Sequence, residues 1–180
     1  MENLKITNVF KYFEDNPNLI KDQWLVLGKG PSLDQINQYD LSEYRIVSLN
    51  DSLIVNKNVT LGHFIDLDAF ERCSKEIALR KDIYIIMPWY PHVDSKPGVK
   101  TLDDLVKTNS ILKHLAREKR LLWYDLMTSD IRTGEYPIIN AVYFSVEAVF
   151  DILSKVGIKY IKSLGIDGGI GYSDLFHNIN

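Results

Sequence analysis

The chain has 180 residues, a length that suits one domain with a full hydrophobic core. Hydrophobic residues make up 46% of the sequence and charged residues 25%, both ordinary for a globular protein, and the formal net charge is −3. Because acidic and basic residues are mixed along the chain, these values argue against a dedicated nucleic-acid-binding protein, which normally carries a basic stripe. They leave room for a small anionic ligand, since a few backbone amides can hold a phosphate without a large local charge.

The pattern of apolar residues predicts strands and helices in alternation. After an amphipathic opening segment that runs to Asn16-Pro17, six apolar runs are interpreted as buried strands, at residues 24–27, 45–49, 61–65, 83–87, 121–123 and 158–166. Helical spacing is found at residues 68–79, in a stretch that starts at Thr101 or Asp103, and at residues 138–156, with Gly157 as the expected C-cap. We therefore predict a doubly wound, mostly parallel Rossmann-like α/β sheet with helices on both faces.

We expect residues 1–180 to form a single domain. The chain ends soon after the sixth predicted strand, in a glycine-rich loop with no closing helix. That ending is typical of the N-terminal part of a longer protein, and a naturally short chain is the alternative.

The expected location is the cytoplasm. The first 15 residues lack the apolar run of a signal peptide. No stretch approaches the roughly 20 apolar residues of a membrane-spanning helix, so we predict no transmembrane segment and leave open a peripheral position at the inner membrane and a homo-oligomer. The lone cysteine, Cys73, cannot form an intrachain disulfide, and we interpret it as a core thiol because no histidine is near it in sequence.

Polar and glycine residues follow most of the predicted strands. In a parallel α/β sheet, ligands bind outside the carboxyl ends of the strands. Those ends carry residues 28–32, 50–51, 66–68, 128–134 and 167–172. We therefore place the candidate site at this edge of the sheet.

The turn at residues 28–32, here called the glycine turn, is the clearest of these signals. We expect Gly28 and Gly30 to let the backbone approach a phosphate and to adopt positive φ, Pro31 to stiffen the turn, and Ser32 to cap the following helix, whose N-terminal amides favour an anion. The alternative is a tight turn that binds nothing. The spacing does not match a Walker A loop.

The case for a dinucleotide site is weakened by Leu33, which occupies the place of the third glycine in the Gly-x-Gly-x-x-Gly fingerprint of such sites. Asp51 lies about twenty residues further on, where a ribose-binding acid is found in such sites. An NAD-type site therefore stays open at this point.

No metal site and no cofactor are predicted. Asp66-Leu-Asp68 has the Asp-x-Asp form that can hold a divalent ion, but we favour Asp68 as a helix cap. The four histidines show no pair at ligand spacing, so a zinc site is not expected. His63 is interpreted as a structural residue within a strand, whereas His92 and His177 are the candidate general bases.

Two stretches resemble a known family. Leu25-Val-Leu-Gly-Lys-Gly-Pro-Ser-Leu33 resembles the opening motif of bacterial CMP-sialic acid-dependent sialyltransferases, which also occurs in related MptE-like proteins. Arg132-Thr-Gly134, the helix after it and the strand that ends Gly165-Ile-Asp167 resemble the second half of that pattern. The resemblance implies transfer of an acidic sugar from a CMP-activated donor to a glycan acceptor in lipopolysaccharide or capsule biosynthesis.

The resemblance also implies roles for individual residues. It places the donor's phosphate and ribose at the glycine turn, the nucleotide at Asn50, the phosphate or sugar carboxylate at a Thr/Ser-Gly pair, and the cytidine near the end of the last strand. The matching nucleotide-binding positions expected in this chain are Gly28, Gly30, Pro31, Ser32, Asn50, Thr133, Gly134, Asp167 and Gly168. Asp51 joins them from the ribose-binding spacing and not from the resemblance.

The family's enzymes invert the anomeric carbon without a metal, using a histidine as general base and tyrosines that assist the departing phosphate. Tyr172 is the matching tyrosine, and the base is either His177 or absent from these residues. Lys29 stands where the family usually has asparagine, which changes one contact near the phosphate. Two other functions stay open: an MptE-like ATP-dependent pyrophosphokinase with Mg²⁺ on Asp66 and Asp68, and a non-catalytic nucleotide-binding module.

Overall fold

The computed structural model describes residues 4, 6–91, 100–127, 133, 138–142, 144–168 and 171–176. The strands within these residues are β1 (Thr7–Asn8), β2 (Gln23–Leu27), β3 (Tyr44–Leu49), β4 (Leu61–His63), β5 (Tyr84–Pro88), β6 (Leu121–Leu126), β7 (Ile138–Ile139) and β8 (Ile161–Leu164). The helices are α1 (Val9–Asp15), α2 (Ser52–Val55), α3 (Leu67–Leu79), α4 (Leu102–Thr108), α5 (Ser110–Arg117) and α6 (Ser145–Lys155). Short 3₁₀ segments lie at Pro17–Ile20, Pro31–Gln38, Leu41–Glu43 and Asp174–Phe176.

The strands form one parallel sheet in the order β1-β6-β5-β4-β3-β2-β8, and β7 pairs with the C-terminal half of β6. From β2 to β6 each new strand is added on the same side, whereas β8 returns to the opposite side of β2. This reversal creates a topological switch point between β2 and β8. Ligands of doubly wound sheets bind in the crevice at such a point.

Alternate side chains of β2 face the two sides of the sheet. Leu25 and Leu27 belong to a buried cluster with apolar side chains of α3, α4 and α5. Trp24 and Val26 belong to a second buried cluster with those of α1 and α6. Helices therefore cover both faces, which confirms the predicted doubly wound α/β fold. Among the described residues, no helix is both long enough and apolar enough to cross a membrane.

The predicted helix over residues 138–156 is wrong in its first part. Ile138 and Ile139 form β7, and the helix begins only at Ser145. Periodicity alone does not separate a short apolar strand from a buried helical turn, and here pairing with β6 decides the outcome. The carboxylate of Glu147 accepts hydrogen bonds from the N–H groups of Val142 and Phe144, which places the helix start after them.

Helix ends agree better with the sequence. Gly157 follows α6 with a φ of +90°, as expected for a residue that ends a helix in the left-handed region. Thr101 caps α4 in a reciprocal capping box with Asp104. The two-residue strand β1 was not predicted, since Thr7–Asn8 is too short for any period to show. The structure also shortens the strands predicted at 61–65 and 158–166 and lengthens the one at 121–123.

Candidate functional site

The glycine turn is joined to the turn after β8, at residues 165–167, which we call the second turn. The N–H of Gly28 donates to the carbonyl of Leu164, and the N–H of Gly30 donates to the carbonyl of Gly165, both at 2.8 Å. In return the N–H of Gly165 donates to the Ser32 hydroxyl oxygen at 2.7 Å. Two segments that are far apart in sequence are therefore one hydrogen-bonded unit at the switch point.

The contact between the glycine turn and the second turn requires residues without a side chain at positions 28 and 30. A Cβ on Gly28 would lie 2.2 Å from the carbonyl oxygen of Gly165, and one on Gly30 would lie 3.0 Å from the Asp167 carboxylate. The predicted positive φ is wrong for both: Gly30 has a φ of −68°, and Gly28 is not among the positive-φ glycines, which include Gly165 at +71°. These glycines thus permit close approach of two turns of the same chain.

Ser32 is not the helix cap that the sequence predicts. Gly30 holds the N-cap position of the 3₁₀ segment Pro31–Gln38, and Ser32 lies inside that segment. The Ser32 side chain instead donates to the carboxylate of Asp167, which also accepts the Ser32 backbone N–H at 3.1 Å. The Ser32 hydroxyl lowers the pKa of Asp167 by this hydrogen bond. An anionic group of the chain itself therefore occupies the amino end of this segment.

Beside the glycine turn, Asp51 binds two cations. Its carboxylate accepts from the Lys29 ammonium at 3.1 Å and from Nε and Nη2 of Arg72 at 3.0 and 3.1 Å. Burial raises the pKa of Asp51, but the hydrogen bonds from Arg72 and Lys29 outweigh it, so the pKa lies below its usual value. The Lys29 ammonium also lies 4.5 Å from the centre of the exposed Tyr172 ring.

Asn50 adopts the left-handed conformation, with a φ of +51°. Its N–H donates to the carbonyl of His63 at 2.9 Å, and its side-chain oxygen accepts from the hydroxyl of Ser145 at 3.4 Å. Asn50 therefore links the end of β3 to the start of α6. Non-glycine residues in this region are uncommon, and asparagine tolerates it best, so a backbone outlier lies at the position that the resemblance assigns to the nucleotide.

The structure describes some of the remaining predicted site residues and not others. Thr133 donates its N–H at 2.8 Å to the carboxylate of Asp125, which lies near the end of β6. Gly168 is exposed, and a Cβ there would meet no atom within 4 Å among the residues that the structure describes. Gly134, His92 and His177 lie outside the described residues.

The acidic pair after β4 does not act as the sequence suggests. Asp66, not Asp68, holds the N-cap position of α3, without a side-chain capping bond, and Asp68 lies in the first turn. The cap prediction for Asp68 is therefore wrong. In the described part of the chain, no group of three or more His, Cys, Asp or Glu side chains is arranged to hold a metal ion.

Two further residues are buried behind the site. His63 lies in β4, fully buried, with Nε2 2.9 Å from the Tyr124 hydroxyl, and burial lowers its pKa to about 3. Cys73 is buried below Asp51, and burial raises the pKa of its thiol to about 12, which confirms the interpretation of a core thiol. Neither side chain can serve as a base or nucleophile at neutral pH in this environment.

Sequence reasoning missed Arg72. It lies in the second turn of α3, and nothing in its neighbourhood sets it apart from the other charged residues of that helix. Its importance comes from the packing of α3 against the end of β3, where it meets Asp51.

A cavity of about 1120 Å³ lies along β1 and α1 and includes Phe10, Trp89 and Trp123 in its lining. Thr133 also lines it, but the glycine turn and the second turn do not. Left-handed backbone does not separate the two places, since Lys119, with a φ of +58°, lines the cavity. We place the candidate site at the switch point and not in this cavity, because the polar groups of the strand ends converge there.

Comparison of the chain with models of protein families, with curated proteins and with solved structures finds no match. The functional argument therefore rests on the geometry of the carboxyl edge and on the motif resemblance.

Proposed function

We propose that this protein is a glycosyltransferase that takes an acidic sugar from a CMP-activated donor and passes it to a glycan acceptor. The donor binds in the crevice between β2 and β8, and the reaction serves lipopolysaccharide or capsule synthesis on the cytoplasmic side, with the protein at the inner-membrane surface. The resemblance of the glycine turn and the second turn to sialyltransferase motifs motivates the choice of donor.

One observation carries the proposal. The two motif segments, which are separated by more than half the chain, form a single hydrogen-bonded unit through Ser32, Gly165 and Asp167. This unit lies at the switch point, where doubly wound sheets bind nucleotides. Asn50 lies at the end of the neighbouring strand in the left-handed conformation, which is uncommon outside glycine and clusters at functional sites.

The charges around the glycine turn indicate where the donor's phosphate lies. Asp167 already accepts the hydroxyl and N–H of Ser32, and its negative charge would repel a phosphate at that end of the 3₁₀ segment. Lys29 lies on the neighbouring side of the same turn. The phosphate therefore binds on the Lys29 side, with Asn50 close to it.

In the proposed transfer, an acceptor hydroxyl oxygen forms a bond to the anomeric carbon from the face opposite the phosphate. The bond between that carbon and the phosphate oxygen breaks, and its electron pair stays with the departing CMP. The hydroxyl proton passes to a general base, for which the resemblance names a histidine and this chain offers His177. Tyr172, 4.5 Å from the Lys29 ammonium by its ring centre, is the candidate to donate to the departing phosphate.

The test is calorimetric titration of the chain with CMP, UDP, ATP and NAD, each with and without Mg²⁺. We expect CMP to bind best and without a metal requirement, and we expect the Ser32→Ala/Asn50→Ala double variant to abolish this binding. The matched control is Asn37→Ala/Ser42→Ala, which changes two exposed residues that precede β3.

Other outcomes would contradict the proposal. Magnesium-dependent preference for ATP, lost in Asp66→Asn, would favour the pyrophosphokinase. If none of the four nucleotides binds, the glycine turn serves only to pack against the second turn. If CMP binds but no CMP-sugar donor is consumed with any glycan acceptor, the protein is a nucleotide-binding module.

A further inference from the structure

We propose that Lys29 and Arg72, held together by Asp51, form the phosphate subsite and that this subsite selects a nucleotide whose phosphate carries a single negative charge. This inference rests on the proposed function, because it assumes that a nucleotide binds at the glycine turn. It goes further by naming Arg72, a residue of α3, and by stating which phosphate chemistry the site prefers.

The geometry holds the two cations in fixed positions. Both oxygens of Asp51 accept hydrogen bonds from them, and the Asp51 side chain is only 15% exposed. Lys29 is fixed from its other side as well, since its carbonyl accepts the N–H of Ser173 at 2.8 Å and its ammonium lies over the ring of Tyr172. The subsite is therefore preorganised, which reduces the entropy lost when an anion binds.

The cations retain capacity to bind a ligand. The contacts with Asp51 use only part of the N–H groups that an ammonium and a guanidinium carry. The Arg72 side chain is 57% exposed and the Lys29 side chain 26%, so solvent and solutes reach both. A guanidinium and an ammonium are the two side-chain groups that bind phosphate most strongly.

A purely structural role explains the cluster poorly. Ion pairs with a solvent-exposed partner contribute about 0–1 kcal/mol to stability, and Arg72 is such a partner. The cluster lies next to Asn50, whose left-handed backbone is uncommon for a residue other than glycine. Such uncommon backbone conformations cluster at active sites and ligand clamps.

The charge balance specifies the phosphate. The two cations outnumber the one carboxylate to which both are hydrogen-bonded, and the nearby charge of Asp68, which also acts on Arg72, reduces the positive surplus to +1 or less. Asp51 stays ionised because Arg72 and Lys29 keep its pKa low against the effect of burial. The phosphodiester of a nucleoside-monophosphate sugar carries one negative charge, whereas the diphosphate of a UDP- or GDP-sugar carries two. The small positive surplus of the subsite matches the first more closely than the second, which keeps the larger uncompensated charge. Asp51 therefore acts as the counter-ion that positions the cations and not as the ribose-binding acid.

The first test compares CMP with cytidine, which lacks the phosphate, by calorimetry on the full chain. Wild type is expected to bind CMP more tightly than cytidine. Lys29→Met and Arg72→Met should each weaken CMP binding roughly tenfold or more and leave cytidine binding unchanged. Lys75→Met, an exposed lysine on the same helix, is the control, and Lys29→Arg and Arg72→Lys should restore part of the affinity.

The results separate the two proposals. If wild type binds CMP and both methionine variants bind it equally well, the phosphate subsite is wrong and the proposed function survives. If wild type binds neither CMP nor cytidine, both proposals fail.

The second test concerns the charge and does not depend on the methionine variants. Wild type should bind the methyl ester of CMP, whose phosphodiester carries one negative charge, more tightly than CMP, whose phosphomonoester carries about 1.5–2 at pH 7. Asp51→Asn, which removes the carboxylate that both cations bind, should shift this ratio roughly tenfold toward CMP. An unchanged ratio in a folded Asp51→Asn variant would overturn the charge-selection argument.

Discussion

The carboxylate of Asp167 accepts hydrogen bonds from both the backbone N–H and the hydroxyl of Ser32, which lies 135 residues earlier in the chain. The same hydroxyl oxygen accepts the N–H of Gly165 at 2.7 Å. One serine side chain thus connects the end of β2 with the end of β8. Because the crevice between these strands is the candidate site, the stability of this contact and the geometry of the site are coupled.

Replacement of Ser32 tests this connection. Ser32→Ala leaves the buried N–H of Gly165 without its acceptor, and we expect the free energy of unfolding to fall by about 1–2 kcal/mol. Urea unfolding measures the change. Ser163→Ala removes an exposed hydroxyl from β8 and serves as the control; equal stability of the two variants would contradict the role assigned to Ser32.

The close approach of the glycine turn and the second turn predicts that an alanine destabilises the protein far more at Gly28 than at Gly168. Gly28→Ala places a Cβ 2.2 Å from the carbonyl oxygen of Gly165, a backbone atom that cannot move aside cheaply, and should lower the free energy of unfolding by about 3 kcal/mol or more. Gly168→Ala adds a methyl group that meets no atom of the described residues within 4 Å and should change it by less than about 0.5 kcal/mol. Thermal melts of both variants, recorded side by side, give the comparison. Similar melting temperatures would mean that the turns do not pack as described.

At the opposite edge of the sheet, Arg80 is expected to stabilise the approach to β4. Its buried guanidinium donates to the carbonyls of Asn56, Lys57 and Val59. Arg80→Met leaves these carbonyls without the charged donor, and we expect a loss of about 2–4 kcal/mol in the free energy of unfolding. Lys75→Met, on the exposed side of α3, controls for loss of a positive charge. Urea unfolding measures both variants. If Arg80→Met loses no more free energy of unfolding than this control, the stabilising role of Arg80 is wrong.

His63 predicts how stability depends on pH. Burial lowers its pKa from 6.5 to about 3, so the unfolded chain takes up a proton at pH values where the folded chain does not. The free energy of unfolding should therefore fall as the pH drops from about 6.5 toward 3, with up to about 1.4 kcal/mol per pH unit from this residue.

The check is urea unfolding of wild type and His63→Gln between pH 7 and pH 4. The variant should lose part of the slope, whereas His114→Gln, at an exposed position on α5, should keep it. Parallel curves for wild type and His63→Gln would show that His63 takes up its proton as readily in the folded chain as in the unfolded one.

Local composition was sufficient to predict most of the framework. Every residue from 24 to 27 is apolar, which is the pattern of a strand buried on both faces. Gly157 ends α6 and Thr101 begins α4, because capping depends on the chemistry of a few adjacent residues. The position of the candidate site at the strand ends follows from the same alternation of strands and helices.

The sequence by itself therefore determined the fold class and the turn at which to look for a ligand. Only the tertiary structure decided which residues meet there: that Ser32 binds Asp167 instead of capping a helix, that Gly28 makes room for Gly165, and that Arg72 shares Asp51 with Lys29. The physical reason is that periodicity encodes which side of an element is buried, whereas partners are set by strand order and helix packing. The return of β8 to the side of β2 is such a long-range choice, and no local pattern in either strand specifies it.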